Sequence, residues 1–153
     1  MRLLLQRVTR AEVRRADGPD AGEVVGRIER GLLVLVGVAP GDGAVEVAWA
    51  AAKLLGLRVF ADAAGKMNLD VVAAGGGLLV VSQFTLYGDT RRGRRPGFSA
   101  AAAPDAAERV YLELVERLRR ADVPVATGAF GRAMHVELVG DGPVTLWLDS
   151  ADG

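Results

Sequence analysis

The sequence predicts an α/β fold in which a mixed β-sheet or partly closed barrel is covered by two main helices. The apolar run at 32–38 is typical of a strand that is buried on both faces. Apolar residues within 44–55 and 104–118 recur at the three- and four-residue spacing of amphipathic helices. Alternating segments stand at both ends of the chain, and the 153 residues fit a single domain, 1–153.

The first half of the chain opens with alternating apolar and polar residues. Leu3, Leu5 and Val8 predict a first strand, and a second short strand follows through Ala11 and Val13. The Gly- and Asp-rich stretch before the buried strand predicts a turn. In the first helix we expect these residues to face inward: Val45, Ala48, Trp49, Ala52 and Leu55.

The middle of the chain predicts a short strand at 57–60 and a loop at 61–70. A central strand should run through residues 78–86, because three glycines precede this largely apolar stretch. Pro104 opens the second helix at a position that tolerates proline. Its inner stripe is predicted to consist of Ala107, Val110, Tyr111, Leu114 and Leu118. Residues 134–139 and 144–149 then predict a two-strand unit with a Gly-Pro connection.

Composition and charge exclude several functional classes. The 19 basic and 19 acidic residues cancel, so any RNA contact must come from a local patch. The chain has no cysteine, which excludes disulfides and thiolate nucleophiles, and its single histidine excludes a His-rich metal centre. We expect no metal and no cofactor. The first apolar run is too short for a signal peptide, and no stretch reaches the roughly 20 residues of a membrane span. These features predict a soluble cytoplasmic protein with no membrane partner.

A polar group interrupts the end of the predicted central strand. Alternation would place Ser82 and Phe84 on one face, and Gln83 and Thr85 on the other. Hydroxyl and amide groups at a strand end can line a pocket and stabilise a developing oxyanion. They can equally well hydrogen-bond to nearby backbone, and the residue types alone favour this structural role.

Four arginines follow the polar strand end within five residues: Arg91, Arg92, Arg94 and Arg95. Guanidinium groups suit bidentate contacts with phosphate. A solvated surface loop is the default interpretation. The position directly after a core strand strengthens the functional alternative, because substrate loops commonly follow such strands.

Two further features concern the last third of the chain. The carbonyl groups around Gly142 and Pro143 could bind an ammonium group, although a simple hairpin turn explains the same residues. His135 is predicted on the wetter face of its strand, opposite Met134 and Val136. A catalytic base needs a partner within hydrogen-bond reach, and the sequence indicates none.

Taken together, these segments resemble the bacterial D-aminoacyl-tRNA deacylase family. Residues 82–98 and 142–149 are similar to its two signature regions. Residues 4–13 and 22–38 resemble its first half, and 65–68 resemble its middle loop. A lone Ser-Gln or Gly-Pro pair would be weak evidence for this family. Here both pairs occur, in the family's order and within flanking segments that also match.

The resemblance implies a D-aminoacyl-tRNA deacylase-like fold and a homodimer with sites built across the subunit interface. In that family the pocket for the terminal adenosine of charged tRNA is lined by the counterparts of Ser82, Gln83, Phe84 and Thr85. The Gly-Pro motif, which is cis in the family, corresponds to Gly142 and Pro143 and reaches into the partner's pocket. Its carbonyl groups hold the α-ammonium group of the substrate, and Arg7 corresponds to the arginine that steadies the motif.

The implied activity is hydrolysis of the ester bond of D-aminoacyl-tRNA and of mischarged glycyl-tRNA(Ala), which releases the amino acid and tRNA. The resemblance implies that the clamp distinguishes D- from L-amino acids by steric exclusion at Cα, because the side chain of an L-amino acid would point into the backbone clamp. Gln83 and Thr85 would position the reacting groups or stabilise the oxyanion. The arginine loop would meet acceptor-stem phosphates, and no DNA partner is expected.

Two alternatives stay open on the sequence. A Ser- or Thr-dependent esterase for small substrates would need His135 close to Ser82 or Thr85. A non-catalytic module that binds tRNA or nucleotides would bind without turnover. The chain departs from the family at Gly140, where asparagine is common, and at Arg132, where a small residue is expected. These changes could loosen the clamp's support and alter the approach of the substrate, respectively.

Overall fold

The computed structural model describes residues 1–153, which form eight strands and two helices. The strands are β1 (Arg2–Arg15), β2 (Val24–Ile28), β3 (Gly31–Gly37), β4 (Phe60–Ala61), β5 (Met67–Leu69), β6 (Gly77–Ser82), β7 (Val125–Thr127) and β8 (Met134–Asp149). The helices are α1 (Ala44–Gly56) and α2 (Pro104–Arg119). None of the helices is both long enough and apolar enough to span a membrane.

The main sheet has six strands and is organised around β1. One edge of β1 pairs antiparallel with β3 in its first half and with β2 in its second half, and the other edge pairs antiparallel with β8. Strands β3, β6 and β7 are parallel to one another. A Cβ atom on Gly26 of β2 would lie 2.2 Å from the Thr127 carbonyl oxygen of β7, so the sheet is nearly closed. The predicted mixed, partly closed sheet with two helices is confirmed.

The two helices pack against each other and against the sheet. The predicted inner stripe of α2 is confirmed in full, with Val115 as a further buried member. The predicted face of α1 is only partly right: Trp49 and Leu55 pack against the core, but Val45 is 76% exposed and Ala52 is also exposed. Its buried residues are Val47, Ala50, Ala51 and Leu54. Because α1 is apolar on most sides and rich in alanine, its sequence pattern does not single out one face.

The predictions for the two terminal strand pairs are wrong. The opening segment is one strand, β1, and not two. Residues 134–139 and 144–149 also belong to one strand, β8, and both halves pair with β1 instead of with each other. The Gly-Pro segment does not reverse the chain. It forms a bulge, in which extra residues leave the ladder while the strand continues in the same direction.

The central strand is shorter than predicted. β6 ends at Ser82, and a 3₁₀ turn at Phe84–Tyr87 replaces the expected strand continuation. The alternation of faces predicted for residues 82–85 is therefore wrong. A second local correction concerns residues 57–70. Of the strand predicted at 57–60 only Phe60 is in a strand, and β4 and β5 form a small hairpin that extends into the predicted loop.

Tyr111 ties α2 to the sheet through a buried hydrogen bond. Its hydroxyl group donates to the Val80 carbonyl oxygen at 2.8 Å. That oxygen also accepts from the Gly128 amide at 3.1 Å, so it keeps one partner when the hydroxyl group is removed. We therefore expect Tyr111→Phe to lower the free energy of unfolding at pH 7 by only about 1 kcal/mol.

The same variant should change how stability depends on pH. Burial raises the pKa of Tyr111 to about 12, above the ordinary value of 10.0 that the unfolded chain should show. The stabilisation is therefore complete below pH 10 and is lost as the pH rises towards 12. The free energy of unfolding can be measured with denaturant at pH 7 and pH 11. Its difference between wild type and Tyr111→Phe should be smaller at pH 11. An unchanged or larger difference at pH 11 would contradict this assignment.

Candidate functional site

A cavity of about 600 Å³ opens where the parallel strands β3 and β6 end. Ligands commonly bind at the carboxyl ends of parallel strands. The first residues of α2 and the start of β8 complete its walls, and most of its lining is apolar. The lining residues with aromatic, polar, charged or thioether side chains are Ser82, Gln83, Phe84, Phe98, Phe130, Arg132 and Met134.

Three of the four predicted pocket residues line this cavity: Ser82, Gln83 and Phe84. Thr85 is not in the lining, but its hydroxyl oxygen accepts a hydrogen bond from the Gln83 amide nitrogen at 2.5 Å. The 3₁₀ turn brings these two side chains together after the strand has ended. Phe84 is 54% exposed and contacts Phe98 edge-on, with 5.0 Å between ring centroids. Exposed aromatic faces of this kind can stack on a nucleobase.

Arg2 fixes the turn that carries this group. Its guanidinium group donates to the Leu86 carbonyl oxygen at 2.9 Å and to the Asp149 carboxylate at 2.8 Å. The same group lies 4.4 Å from the centroid of the Tyr87 ring. Arg2 therefore connects the ends of β1 and β8 to the turn, which limits the positions available to Gln83 and Thr85.

The Gly-Pro segment forms a bulge opposite a single residue of β1. Gln6 pairs with Thr145 and Val8 pairs with Gly140, so residues 141–144 lie opposite Arg7 alone. The Gly142–Pro143 peptide bond is cis, and both residues are exposed. Gly142 has φ of +132°, a value that favours glycine. The bulge thus projects main-chain atoms away from the sheet.

The Arg7 side chain lies directly beneath the bulge and is only 13% exposed. Its Nε donates to the Asp141 carbonyl oxygen at 3.1 Å and lies 3.1 Å from the Asp141 carboxylate. Its Nη1 donates to the Val59 carbonyl oxygen at 2.5 Å. One planar guanidinium group therefore connects the bulge to the segment before β4, an arrangement that suits its fixed donor geometry.

Within one chain, the bulge and the cavity are separate. Neither Gly142 nor Pro143 lines the cavity. Val36, which does line it, pairs with Leu3 of β1, four residues before Arg7. At the rise of a β-strand this offset corresponds to about 13 Å along β1. The sequence-predicted substrate-binding residues therefore fall into two groups that lie apart within the chain.

The arginine loop lies next to the cavity. Asp89 and Gly97 pair through two backbone hydrogen bonds of 2.7 and 2.9 Å, which close the loop, and Phe98 then enters the cavity wall. Arg91 is engaged by Asp89, whose carboxylate it contacts at 2.8 Å. This hydrogen bond holds the pKa of Asp89 well below its usual range. Within the loop, Arg92, Arg94 and Arg95 are exposed and form no ion pair.

His135 is exposed, as predicted. Its neighbours Met134 and Val136 line the cavity, whereas His135 itself does not. The lining also contains no aspartate or glutamate. A Ser-His or Thr-His pair is therefore absent from the cavity, which removes the feature that the esterase alternative requires.

Sequence reasoning assigned no role to several residues of the site. Phe98 and Phe130 contribute aromatic rings to the cavity, and Arg2 holds the turn. Phe130 could have been found from the sequence, because a lone aromatic residue among small loop residues indicates a candidate binding residue. Arg2 gives no such signal, because its partners lie 84 and 147 residues away in the chain.

Comparison with protein families identifies relatives over nearly the whole chain. Residues 4–149 match the family model described as D-Tyr-tRNA(Tyr) deacylase. The chain is 57% identical over 150 residues to the D-aminoacyl-tRNA deacylase of Anaeromyxobacter dehalogenans, which covers 98% of this chain and 97% of that protein. It is 54% identical over 152 residues to the D-aminoacyl-tRNA deacylase of Paracoccus denitrificans, with 99% of each chain covered.

Solved structures support the same fold. A c-Myc DNA unwinding element binding protein matches with a TM-score of 0.89 and 37% identity over 98% of this chain and 99% of that chain. A probable eukaryotic D-amino acid tRNA deacylase matches with a TM-score of 0.78 over 96% of this chain and 97% of that chain. At 19% identity the second likeness concerns the fold alone.

Proposed function

The chain belongs to the D-Tyr-tRNA(Tyr) deacylase family, and on this premise we propose that it removes D-amino acids from tRNA through a backbone clamp shared between two protomers. The reaction is hydrolysis of the ester bond of D-aminoacyl-tRNA, which releases the amino acid and tRNA. Mischarged glycyl-tRNA(Ala) is a second proposed substrate, because glycine has no side chain for the clamp to exclude. The proposed setting is the cytoplasm, where charged tRNA is used in translation.

The observation that carries this proposal is the exposed bulge at residues 141–144 and its separation from the cavity. A second copy of the chain could bring its Gly142 and Pro143 to the cavity of the first. The main-chain oxygens of the bulge can accept hydrogen bonds from an α-ammonium group. Because the clamp contacts Cα substituents through backbone alone, it accepts many amino acids and excludes an L-side chain by space.

The chemistry needs little from side chains. The cavity has no base, so a nucleophilic role of Thr85 is disfavoured. An aminoacyl ester is already activated, and one well-placed donor to the oxyanion contributes about 3–4 kcal/mol to transition-state stabilisation. Gln83 and Thr85 are proposed to position the ester and its water or to stabilise that oxyanion. The terminal adenosine would occupy the cavity against Ser82 and Phe84.

The first experiment tests stereospecific turnover. The protein is incubated with D-tyrosyl-tRNA, L-tyrosyl-tRNA and glycyl-tRNA(Ala), and the remaining ester is measured over time. Rapid loss of the D-ester and the glycyl ester, with the L-ester preserved, is expected. Equal loss of both tyrosyl esters would contradict the clamp, and binding without turnover would favour the non-catalytic alternative.

A mixing experiment tests whether sites are shared between protomers. Arg7→Ala impairs the clamp but leaves the cavity intact, whereas Ala101→Trp fills the cavity but leaves the clamp intact. Each variant alone should be almost inactive. Refolded from a mixture, half of the dimers are mixed and each has one complete site, so about a quarter of wild-type activity should return. No recovery in mixed dimers isolated with two affinity tags would contradict a shared site.

We further propose that Arg92, Arg94 and Arg95 contact acceptor-stem phosphates, with Arg91 as a weaker candidate because Asp89 already engages it. Replacing Arg92, Arg94 and Arg95 with glutamine should weaken tRNA binding and reduce the slope of log affinity against log salt by about 2–3. A control that replaces Arg117, Arg119 and Arg120 of the distant α2 end should leave the slope unchanged. Equal slopes in the loop variant and wild type would contradict phosphate contacts by this loop.

A further inference from the structure

Arg132 is the single charged side chain among the residues that line the cavity. The other lining residues are apolar or neutral, and three of them carry aromatic rings: Phe84, Phe98 and Phe130. A ligand that fills this cavity therefore meets apolar and stacking surface together with one positively charged side chain. Pro104, the first residue of α2, also lines the cavity, and the start of a helix adds a partial positive charge.

The guanidinium group of Arg132 is only weakly engaged within the chain. Its nearest acidic group is the Asp17 carboxylate, with 3.5 Å between Nε and Oδ1, and that oxygen accepts no hydrogen bond. The two side chains are 46% and 44% exposed, so the pair contributes little to stability. The cost of exchanging Asp17 for another anion is correspondingly small. Arg132 thus keeps its directional donors available at the cavity.

Gly18 leaves space for this arrangement. It has φ of +74°, and a Cβ atom at this position would lie 3.0 Å from Arg132 Nη2. The turn between β1 and β2 therefore approaches the guanidinium group through a residue without a side chain. Asp17 and Gly18 together hold Arg132 at the cavity without occupying its donors through hydrogen bonds.

We propose that Arg132 binds the 5′-phosphate of the nucleotide whose base occupies the cavity, and that Asp17 releases the guanidinium group when the phosphate arrives. This inference rests on the proposed function and adds a substrate-binding residue to it. In charged tRNA the bound group is the phosphodiester that joins the terminal adenosine to the preceding nucleotide. Aromatic rings stack on the base, and the planar guanidinium group donates two hydrogen bonds to phosphate oxygens. A volume of about 600 Å³ lies within the range of sites for ligands of this size.

This role differs from that of the arginine loop. Arg92, Arg94 and Arg95 are proposed to contact the acceptor stem, so their effect requires a longer RNA. Arg132 acts at the terminal nucleotide, and its effect should persist with the smallest ligand that has a base and a 5′-phosphate. Adenosine and 5′-AMP form the matched pair of probes, since they differ by this phosphate alone.

The test measures binding of adenosine and 5′-AMP by calorimetry to the full-length wild type and to Arg132→Gln. We expect the wild type to bind 5′-AMP about tenfold more tightly than adenosine, as for a charge-assisted hydrogen bond. Arg132→Gln should lose this preference and bind adenosine within about twofold of the wild type. Asp17→Asn removes the competing carboxylate and should tighten 5′-AMP binding. Arg117→Gln, an exposed arginine on α2, is the matched control and should behave as wild type.

Equal affinity of the wild type for the two ligands, absence of binding to either, or a preference that survives Arg132→Gln would each overturn the inference. Deacylation of D-tyrosyl-tRNA separates this inference from the proposed function. Arg132→Gln should raise KM by about tenfold with kcat unchanged, because the contact is the same in the ground and transition states. A wild type that deacylates while Arg132→Gln keeps its KM overturns only the role of Arg132. A wild type that does not deacylate contradicts the proposed function itself.

Discussion

Replacing Arg7 with alanine is expected to lower kcat/KM for D-tyrosyl-tRNA by about 100-fold while the protein stays folded. The guanidinium group donates the one side-chain hydrogen bond that the bulge receives, to the Asp141 carbonyl oxygen at 3.1 Å. It also caps the Val59 carbonyl oxygen at 2.5 Å, so alanine leaves both oxygens without this donor. A displacement of the clamp by about 1 Å suffices for a loss of this size. Single-turnover deacylation measures the effect.

Two companion variants make the experiment specific. Arg10→Ala removes another arginine of β1, which is 60% exposed and paired with Glu137, and should retain nearly wild-type activity. Arg7→Lys keeps the charge but cannot reproduce the planar set of guanidinium donors. Its kcat/KM should therefore be close to that of Arg7→Ala. Full activity of Arg7→Ala, with unchanged stability, would show that the bulge does not depend on Arg7 and would contradict its role as clamp support.

The largest effect on stability is expected from Gly31→Ala, which should lower the free energy of unfolding by about 3 kcal/mol or more. Gly31 and Gly77 are partners at the start of the parallel pair β3–β6. A Cβ atom on Gly31 would lie 2.0 Å from the Gly77 carbonyl oxygen. Because the obstructing atom is backbone, relief requires the two strands to separate. Denaturant unfolding of purified protein gives the difference directly.

Gly56→Ala provides the matched control. Gly56 lies at the end of α1, and a Cβ atom added there would meet open space out to 4 Å. The same chemical change there should leave stability within about 0.5 kcal/mol of wild type or raise it slightly. If Gly31→Ala were as stable as Gly56→Ala, the close contact between β3 and β6 would not exist in solution.

The sequence predicts those parts of the fold that have a strong and unambiguous pattern. The stripe of α2 is predicted correctly, because charged residues separate its apolar positions, as Glu108 and Arg109 do between Ala107 and Val110. In α1 alanines surround the helix, and the predicted inward face is only partly right. The end of β6 is not predicted because Phe84 and Thr85 have high β-propensity, yet tertiary context places them in a 3₁₀ turn.

The candidate site could be predicted only in part. Ser82 and Gln83 stand out as polar residues after an apolar run, and they do line the cavity. The residues around Gly142 also stand out, but their sequence is explained equally well by a hairpin turn. Arg7 carries no local pattern that reveals its contact with Asp141, so its assignment depended on the family resemblance. The position of Arg132 at the cavity follows from the fold, since residues 17 and 132 meet only after β1 and β8 have paired.

The exposed bulge also bears on how such a protein can change over evolutionary time. Every amino acid carries the same carbonyl group, so no point mutation in codons 141–144 can delete an atom of the proposed clamp. A mutation there can only move those atoms. Fidelity would then erode through altered geometry, as at Gly142 with its φ of +132°, and not through loss of a reactive group.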